Sequence, residues 1–483
     1  MRFSTVSGKL LLNRHYLYPY FFNMKKFDAI ILGAGQSGMP LAKRISKMGL
    51  KVALIEEGEI GGTCINDGCS PTKTMAASAK VAHTVSRASD FGVLVEGFKI
   101  DQQAVRHRKE QLVNLFRGGA ESSLEKAGVV DIIKGRGKFK KTNIIEVITS
   151  NGNTIELQGK KIFINTGSET VIPDIEGLQD VPYLTSTSIM DLEETPEHLL
   201  ILGGGYIGLE FAQMFRRFGS AVTILDQASR LVPKEDEDVC EEISRIFHQE
   251  KIETIFNAET YKIMRKNGEI TLHYTIQDKE QTIKGSHLLI AVGRAPSSNN
   301  LGLEDIGVKK TEKGFVDVNE YFETSVEDVY ALGDVAGSPP FTHMAFHDAA
   351  LAFDHVYENK SKSNKDRLAP YCVFIDPQLA RIGLNEQEAK QKGVPYKVGK
   401  FWMKHAGRPL ETDEKDGFFK VLVDPETKKI IGATILSMNG GEILAVLQMA
   451  MLGNIPYDVI ETLPIAHPTL AESLNNLMMD IED

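Results

Sequence analysis

Cys64 and Cys69 stand five residues apart in Gly61-Gly62-Thr63-Cys64-Ile65-Asn66-Asp67-Gly68-Cys69-Ser70-Pro71-Thr72-Lys73. Two thiols this close can cycle between dithiol and disulfide. In an unbroken α-helix, positions i and i+5 have Cα atoms roughly 8.6 Å apart. A disulfide tolerates no more than about 7 Å. The segment therefore has to distort if the sulfurs bond, and Gly68 beside Cys69 permits it. A zinc site fits poorly, because the spacing is wrong and no second pair of ligands is visible. The alternative is two unpaired buried thiols, which leaves unexplained why half of the four cysteines fall here. In a reducing compartment such a pair reads as catalytic rather than structural. The start of the following helical stretch, residues 75–86, would stabilise a thiolate at Cys69. The other cysteines, Cys240 and Cys372, lie in helical and strand patterns and read as packing residues.

The pair follows an element that occurs twice. The apolar run 27–32 ends in Gly33-Ala34-Gly35-Gln36-Ser37-Gly38, followed by a helical pattern, Gly49, and a second apolar run closing on Glu56. The run 199–202 leads into Gly203-Gly204-Gly205-Tyr206-Ile207-Gly208, then a helical pattern, Gly219 and a run closing on Asp226. In both copies the acid lies 23 residues after the first glycine. The first glycine permits a tight strand-to-helix turn, the second lets backbone approach a pyrophosphate, and the third allows close helix–strand packing. The pyrophosphate sits on free N–H groups at the positive helix end, and the acid accepts ribose hydroxyls. One such motif is weak; two with identical spacing predict two bound dinucleotides.

Composition sets the frame. A chain of 483 residues has room for about three domains. With 42% hydrophobic and 25% charged residues, it is neither disordered nor fibrous. No run of 18 apolar residues predicts a membrane span. A net charge of −10 without a long basic run argues against nucleic acid. Residues 1–23 hold Arg2, Lys9 and Arg14 and no acid. They read as an upstream extension before Met24, and the expected location is cytoplasmic; an organelle presequence is the other reading.

Chain order and motifs resemble the class I pyridine nucleotide–disulfide oxidoreductases, such as lipoamide dehydrogenase, glutathione reductase and mercuric reductase. Besides the two glycine units and the cysteine pair, the resemblance rests on Asn165-Thr166-Gly167-Ser168, Ala291-Val292-Gly293-Arg294-Ala295-Pro296, Tyr330-Ala331-Leu332-Gly333-Asp334 and His467-Pro468-Thr469-Leu470-Ala471-Glu472. It implies an α/β fold with two Rossmann-like dinucleotide-binding domains, for FAD and NAD, and a C-terminal α+β dimerisation domain. The expected boundaries are 24–168 with 290–348 for FAD, 169–289 for NAD and 365–483 for dimerisation. In the last region the strand runs are 371–375, 418–423 and 430–436, with an apolar helix at 443–452.

The resemblance also implies roles. FAD would be held by Gly33, Gly35, Gly38, Glu56, Gly62, Thr63, Lys73, Gly137, Thr166, Gly167, Asp334 and His343. NAD would be held by Gly203, Gly205, Gly208, Glu210, Asp226 and Gly293. NADH is expected over NADPH, because Asp226 suits a free 2′-hydroxyl and repels a 2′-phosphate. Cys64 would exchange with substrate, Cys69 would face the flavin as the thiolate, and Lys73 would pair with Glu210. His467, oriented by Glu472, would serve the disulfide of the other subunit of an obligate homodimer. The implied activity passes electrons from NADH through FAD to the Cys64–Cys69 disulfide, then to a small disulfide or oxidised metal; the alternative is dihydrolipoyl dehydrogenase. No resident metal is expected.

Some residues depart from the family pattern. Asp67 and Ser70 stand where lipoamide dehydrogenases commonly have apolar residues, and a carboxylate there is expected to disfavour thiolate or to meet a cationic substrate. Pro340-Phe341-Thr342-His343-Met344-Ala345 and Val373-Phe374-Ile375-Asp376-Pro377 lie closer to mercuric reductases. Those enzymes carry a C-terminal cysteine pair for Hg(II), and no cysteine follows Cys372 here, so mercury turnover by that route is not expected.

Overall fold

The computed structural model describes residues 24–481 apart from 361 and 366; the expectation for residues 1–23 lies outside them. Strand β1 (Lys25–Leu32), helix α1 (Gly38–Lys47) and strand β2 (Val52–Glu56) form the first glycine unit. The short helix α2 (Gly62–Asn66), then α3 (Cys69–Ser86) and α4 (Gln102–Glu125), follow before β3 (Val130–Lys141), β4 (Ile144–Thr149) and β5 (Thr154–Ile164). The chain reaches α3 with no intact helix between the cysteines: α2 stops at Asn66, and α3 starts at Cys69, earlier than the apolar pattern indicates.

Strand register explains why distant motifs meet. In the six-stranded sheet, β1 runs parallel to β2 and β5, and β5 parallel to Val329–Ala331. Leu32 pairs with both Ile55 and Ile164, and Ile164 with Ala331. Four carboxyl ends thus stop at one level. The loops leaving them carry Gly33, Glu56, Thr166-Gly167 and Gly333-Asp334, the place where open α/β sheets bind ligands.

The second unit repeats this geometry. Helix α5 (Tyr206–Phe218) follows strand His198–Leu202 in a five-stranded parallel sheet. Gly33 donates to Ile55 O at 2.8 Å, and Gly203 donates to Leu225 O at 2.9 Å. A Cβ on Gly33 would sit 2.2 Å from Asn165 O, and one on Gly203 2.4 Å from Ala291 O, each at a φ near +105° (+103° and +108°). Only glycine closes that turn.

The C-terminal residues form a five-stranded antiparallel sheet, ordered Tyr371–Val373, Gln378–Gly383, Ile430–Ser437, Phe418–Val423, Lys397–Trp402. The first strand ends at Val373 rather than 375. One apolar core joins Met75 and Ala79 of α3, Leu209, Phe211 and Phe215 of α5, and Val373, Phe418 and Leu436 of this sheet. It holds the helix of Cys69 against the second unit.

Lys420 interrupts the apolar pattern of its strand yet is 1% exposed. Its Nζ lies 2.7 Å from Asp236, 2.7 Å from Asp238 and 3.1 Å from Glu386. These carboxylates have metal-ligand proximity, but the ammonium occupies their centre. Burial pulls the lysine pKa down; hydrogen bonds to Asp236 and Asp238 outweigh it and raise it. The cluster bolts helix α6 (Glu237–Gln249) to the C-terminal sheet. Lys420→Met strands three carboxylates together, an expected loss of about 3–5 kcal/mol seen as a lower thermal midpoint, with Lys420→Arg retaining more of it. An unchanged midpoint in the Met variant would refute this account.

Candidate active site

The loops at the strand ends open into a cleft of about 1270 Å³. Its walls include Gly33, Gly35, Glu56, Gly62 and Thr63, then Cys64, Cys69 and Lys73. Gly137, Thr166, Gly167, Glu210, Asp334 and His343 complete the predicted residues found there. Gly38 lies just behind, as the first residue of α1. Gly203, Gly205, Gly208, Asp226 and Gly293 are not among the lining residues; the cleft stops at Tyr206 and Ile207.

The walls suit an elongated anionic dinucleotide. The first N–H groups of α1 have no partner within their helix. Glu56 accepts from Ala34 N at 2.6 Å and Gly58 N at 2.7 Å, which fixes its carboxylate at the end of β2. Gly62, at φ +59°, would place a Cβ 2.8 Å from Gly35 Cα, so the entry to α2 crosses the glycine turn with no room for a side chain. Asp334 accepts from Ser168 Oγ at 2.6 Å, and Arg294 Nε donates to that same hydroxyl at 2.9 Å. This donor set fits FAD. In the second unit Asp226 is held as Glu56 is, accepting from Gly204 N at 2.5 Å and Ala228 N at 2.7 Å.

Cys64 and Cys69 are free thiols with opposite character. Cys69 opens α3, and its Sγ is 3.2 Å from Oγ1 of Thr342. Thr342 is itself the first residue of helix α7 (Thr342–Glu358), so two helix N-termini meet at one sulfur. The hydrogen bond from Cys64 pulls the Cys69 pKa well below the ordinary thiol value, helped by the Thr342 hydroxyl and the Lys73 charge against burial and Glu210. The same hydrogen bond, with burial, pushes Cys64 strongly up. The pair is poised as one thiolate and one thiol that donates to it.

Lys73 lies one turn along α3 from Cys69. Its Nζ reaches the Glu210 oxygens at 2.7 and 2.9 Å and sits 4.9 Å from the Phe374 ring centroid. Glu210 also accepts from Phe374 N at 2.8 Å. Asp67 lies at the end of α2. Burial raises its pKa, as does Asp191, while Arg117 and Lys109 oppose. Arg117 and Lys109 stand on α4, and Asp191 ends the short 3-10 turn Ser188–Asp191.

His467 Nδ1 is 2.9 Å from Glu472 Oε2, with a side chain 75% exposed, and is not among the cleft-lining residues of its own protomer. The ring nitrogen Nε2 of His343 lies 2.6 Å from the Pro370 carbonyl, so that atom is engaged within the protein. Cys372 is half-buried, packed against the C-terminal apolar core on one side and lining the cleft on the other. Thr342, Phe374, Ser168 and Arg294 have no signal in spacing, because each acts across more than a hundred residues. Tyr206 and Tyr371 are likewise unannounced: both donate to the fully buried Glu235, at 2.6 and 2.5 Å.

If the Thr342 hydroxyl stabilises the thiolate, Thr342→Val in a Cys64→Ser background raises the Cys69 pKa by about one unit, the worth of a hydrogen bond to a charged group. The thiolate exists above that pKa and is lost as pH falls through it, so its ultraviolet absorbance should appear at higher pH in the Val variant. Superimposable titrations of the two proteins would rule the role out.

Comparison with known proteins agrees with this geometry. Residues 27–349 match the family described as pyridine nucleotide-disulphide oxidoreductase, and residues 369–478 match its dimerisation domain. The chain is 34% identical over 458 residues to the probable pyridine nucleotide-disulfide oxidoreductase RclA of Escherichia coli, covering 94% of this chain and 99% of that protein. It is 31% identical to a mercuric reductase of Lysinibacillus sphaericus, covering 94% and 82%, and 32% identical to dihydrolipoyl dehydrogenase of Bacillus subtilis, covering 93% and 96%. Among solved structures, the Cu(II) complex of the HOCl-induced flavoprotein disulfide reductase RclA superimposes with a TM-score of 0.87 at 34% identity, covering 94% and 99%.

Proposed function

The chain belongs to the pyridine nucleotide-disulphide oxidoreductases, and from that premise we propose that it carries two electrons from NADH to a Cys64–Cys69 disulfide and on to a small disulfide or an oxidised metal ion. It is a flavoprotein disulfide reductase, of a family that depends on FAD and a pyridine nucleotide. The observation that carries the finer reading is the polarised thiol pair in a cleft suited to a dinucleotide.

FAD, when bound, would supply the exchange between a hydride and an electron pair. The glycine turn of the first unit with α1 would take its pyrophosphate, Glu56 its ribose, and Asp334, braced by Ser168 and Arg294, the chain beyond. Gly137, Thr166, Gly167, Thr63 and His343 would line it. The second unit would hold NADH, with Asp226 at the adenosine ribose. Lys73 and Glu210 would flank the place where the two cofactors meet.

The thiol chemistry follows from the opposed pKa shifts. Cys64 is held as a thiol, so it must lose its proton to a base before it attacks a substrate disulfide. His467 of the partner subunit, oriented by Glu472, would take that proton and deliver it to the departing thiolate. The Cys69 thiolate would then attack the Cys64 sulfur of the mixed disulfide. The Cys64–Cys69 bond forms, the second substrate thiolate leaves, and a proton taken up from water, relayed by His467, neutralises it.

This scheme requires a second copy. The helix Gly440–Leu452 in the matched dimerisation region exposes Val446, Met449 and Leu452, three residues apart on one face. We read that face as part of a homodimer interface that brings His467 to the partner's thiols. A dihydrolipoyl dehydrogenase activity is the second reading, favoured by the intact His467–Glu472 pair and by Asp226. The Cu(II) bound by the E. coli relative favours including a metal acceptor in the first.

Anaerobic reduction with NADH followed by lipoamide, glutathione disulfide, Hg(II) and Cu(II) tests both. We expect rapid reduction and turnover of at least one acceptor. Cys64→Ser should keep reduction of the holoenzyme by NADH while acceptor turnover falls by more than about a thousandfold. A Cys64→Ser enzyme that turns acceptors over at the wild-type rate would eliminate the thiol route.

A further inference from the structure

Asn66, between the two cysteines, uses both ends of its side chain. Its Nδ2 lies 3.2 Å from Glu59 O, 3.2 Å from Ile60 O and 3.0 Å from Gly62 O, and its Oδ1 accepts from Arg117 Nε at 2.9 Å. Two amide hydrogens are thus shared among three carbonyls, while the amide oxygen is taken by a guanidinium. The Glu59 and Ile60 carbonyls belong to the loop entering α2, Gly62 begins α2 and Asn66 ends it, and Arg117 stands on the 24-residue helix α4.

Helix α2, which carries Cys64, has one apolar anchor, Ile65, half-buried against the core of the first unit. It is five residues long and none of them is buried. A helix that short is far below the length that sustains itself in water. After it, Asp67 and Gly68 leave helical geometry before Cys69 begins α3. A Cβ on Gly68 would fall 2.9 Å from Thr63 O, so the break is also tightly folded.

We propose that Asn66, braced by Arg117, is a positioning residue that fixes the Cys64 sulfur near Cys69 and thereby sets the stability of their disulfide. The proposal rests on the reading of these cysteines as the redox pair. Closing a disulfide within one chain depends on the effective concentration of one sulfur at the other. Freeing α2 gives the dithiol conformational entropy that ring closure then has to remove. Loosening Asn66 therefore shifts the equilibrium toward the dithiol and makes the pair a stronger oxidant.

The test is exchange with dithiothreitol in the flavin-loaded enzyme under argon. Cys64–SH and Cys69–SH pass two electrons and two protons to oxidised dithiothreitol; its ring S–S bond breaks and the protein S–S bond forms. Alkylation and mass analysis of the cysteine-bearing peptide give the ratio. We expect Asn66→Ala to lower the equilibrium constant about tenfold, or ~30 mV. Arg117→Gln should shift it in the same direction by less, and the double variant no further than Asn66→Ala, because both act through one network. An unshifted equilibrium in folded Asn66→Ala overturns the proposal. If that variant does not fold, an unshifted Arg117→Gln overturns it. Should the wild-type protein form no Cys64–Cys69 disulfide in oxidised dithiothreitol, the redox-pair reading falls first and takes this one with it.

Discussion

Glu210 is the carboxylate on which the arrangement hinges. It is 9% exposed and accepts from Lys73 on α3 and from the backbone of Phe374 beyond the first C-terminal strand, while itself standing on α5. Three separately built layers therefore meet at one side chain. A charge so placed costs several kcal/mol in desolvation, which only a close, fully bonded partner offsets. Its geometry with Lys73 is close, and Phe374 supplies both an N–H to the acid and a ring face to the ammonium. Because Lys73 is one helical turn from Cys69, whatever fixes this junction also fixes the thiolate.

The sequence makes the repeated unit readable because its determinants are local. A glycine at a fixed distance from a strand and an acid 23 residues on need no knowledge of the rest of the chain. The strand ends meet as the motifs imply, and even the backbone donors to Glu56 and Asp226 match. What escapes a linear reading is every contact made by only one partner of a distant pair. Thr342 touches Cys69 across 273 positions, and the segment around Thr342, though it carries a family resemblance, does not say which residue the hydroxyl meets. Lys420 looks like an error in an apolar strand until its three carboxylates are seen around it. Cys372 packs against the C-terminal core as its strand pattern implies, but strand alternation gives no hint that its other side lines a cleft.

Asp67 shows the same limit from the other side. Between two cysteines in the sequence, a carboxylate should raise thiol pKa values by repulsion. In space it sits at the broken end of α2, where Arg117 and Lys109 oppose the raising effect of burial and Asp191. Cys69 meanwhile receives the start of α3, the start of α7 and the Lys73 charge. Adjacency in sequence does not show which charges face the Asp67 carboxylate, and those come from α4 and the 3-10 turn before Leu192.

The two thiols can be so unlike only because the helix is interrupted between them. In a continuous helix Cys69 would lie mid-helix, its N–H spent on a carbonyl one turn back, with no helix terminus to stabilise its charge. The break at Asp67 and Gly68 makes Cys69 a first-turn residue and leaves Cys64 on the far side of the gap as a donor. The same break leaves the two thiols acting on each other, with the Cys64 pKa pushed up and that of Cys69 pulled down. One local feature thus supplies the asymmetry between the two thiols on which the proposed division of their roles rests. On the proposed route, in which Cys64 attacks the substrate, that asymmetry creates the demand for a base outside the pair, since the Cys64 pKa is pushed up. The His467–Glu472 pair, bonded yet exposed on its own protomer, has the chemistry to meet that demand.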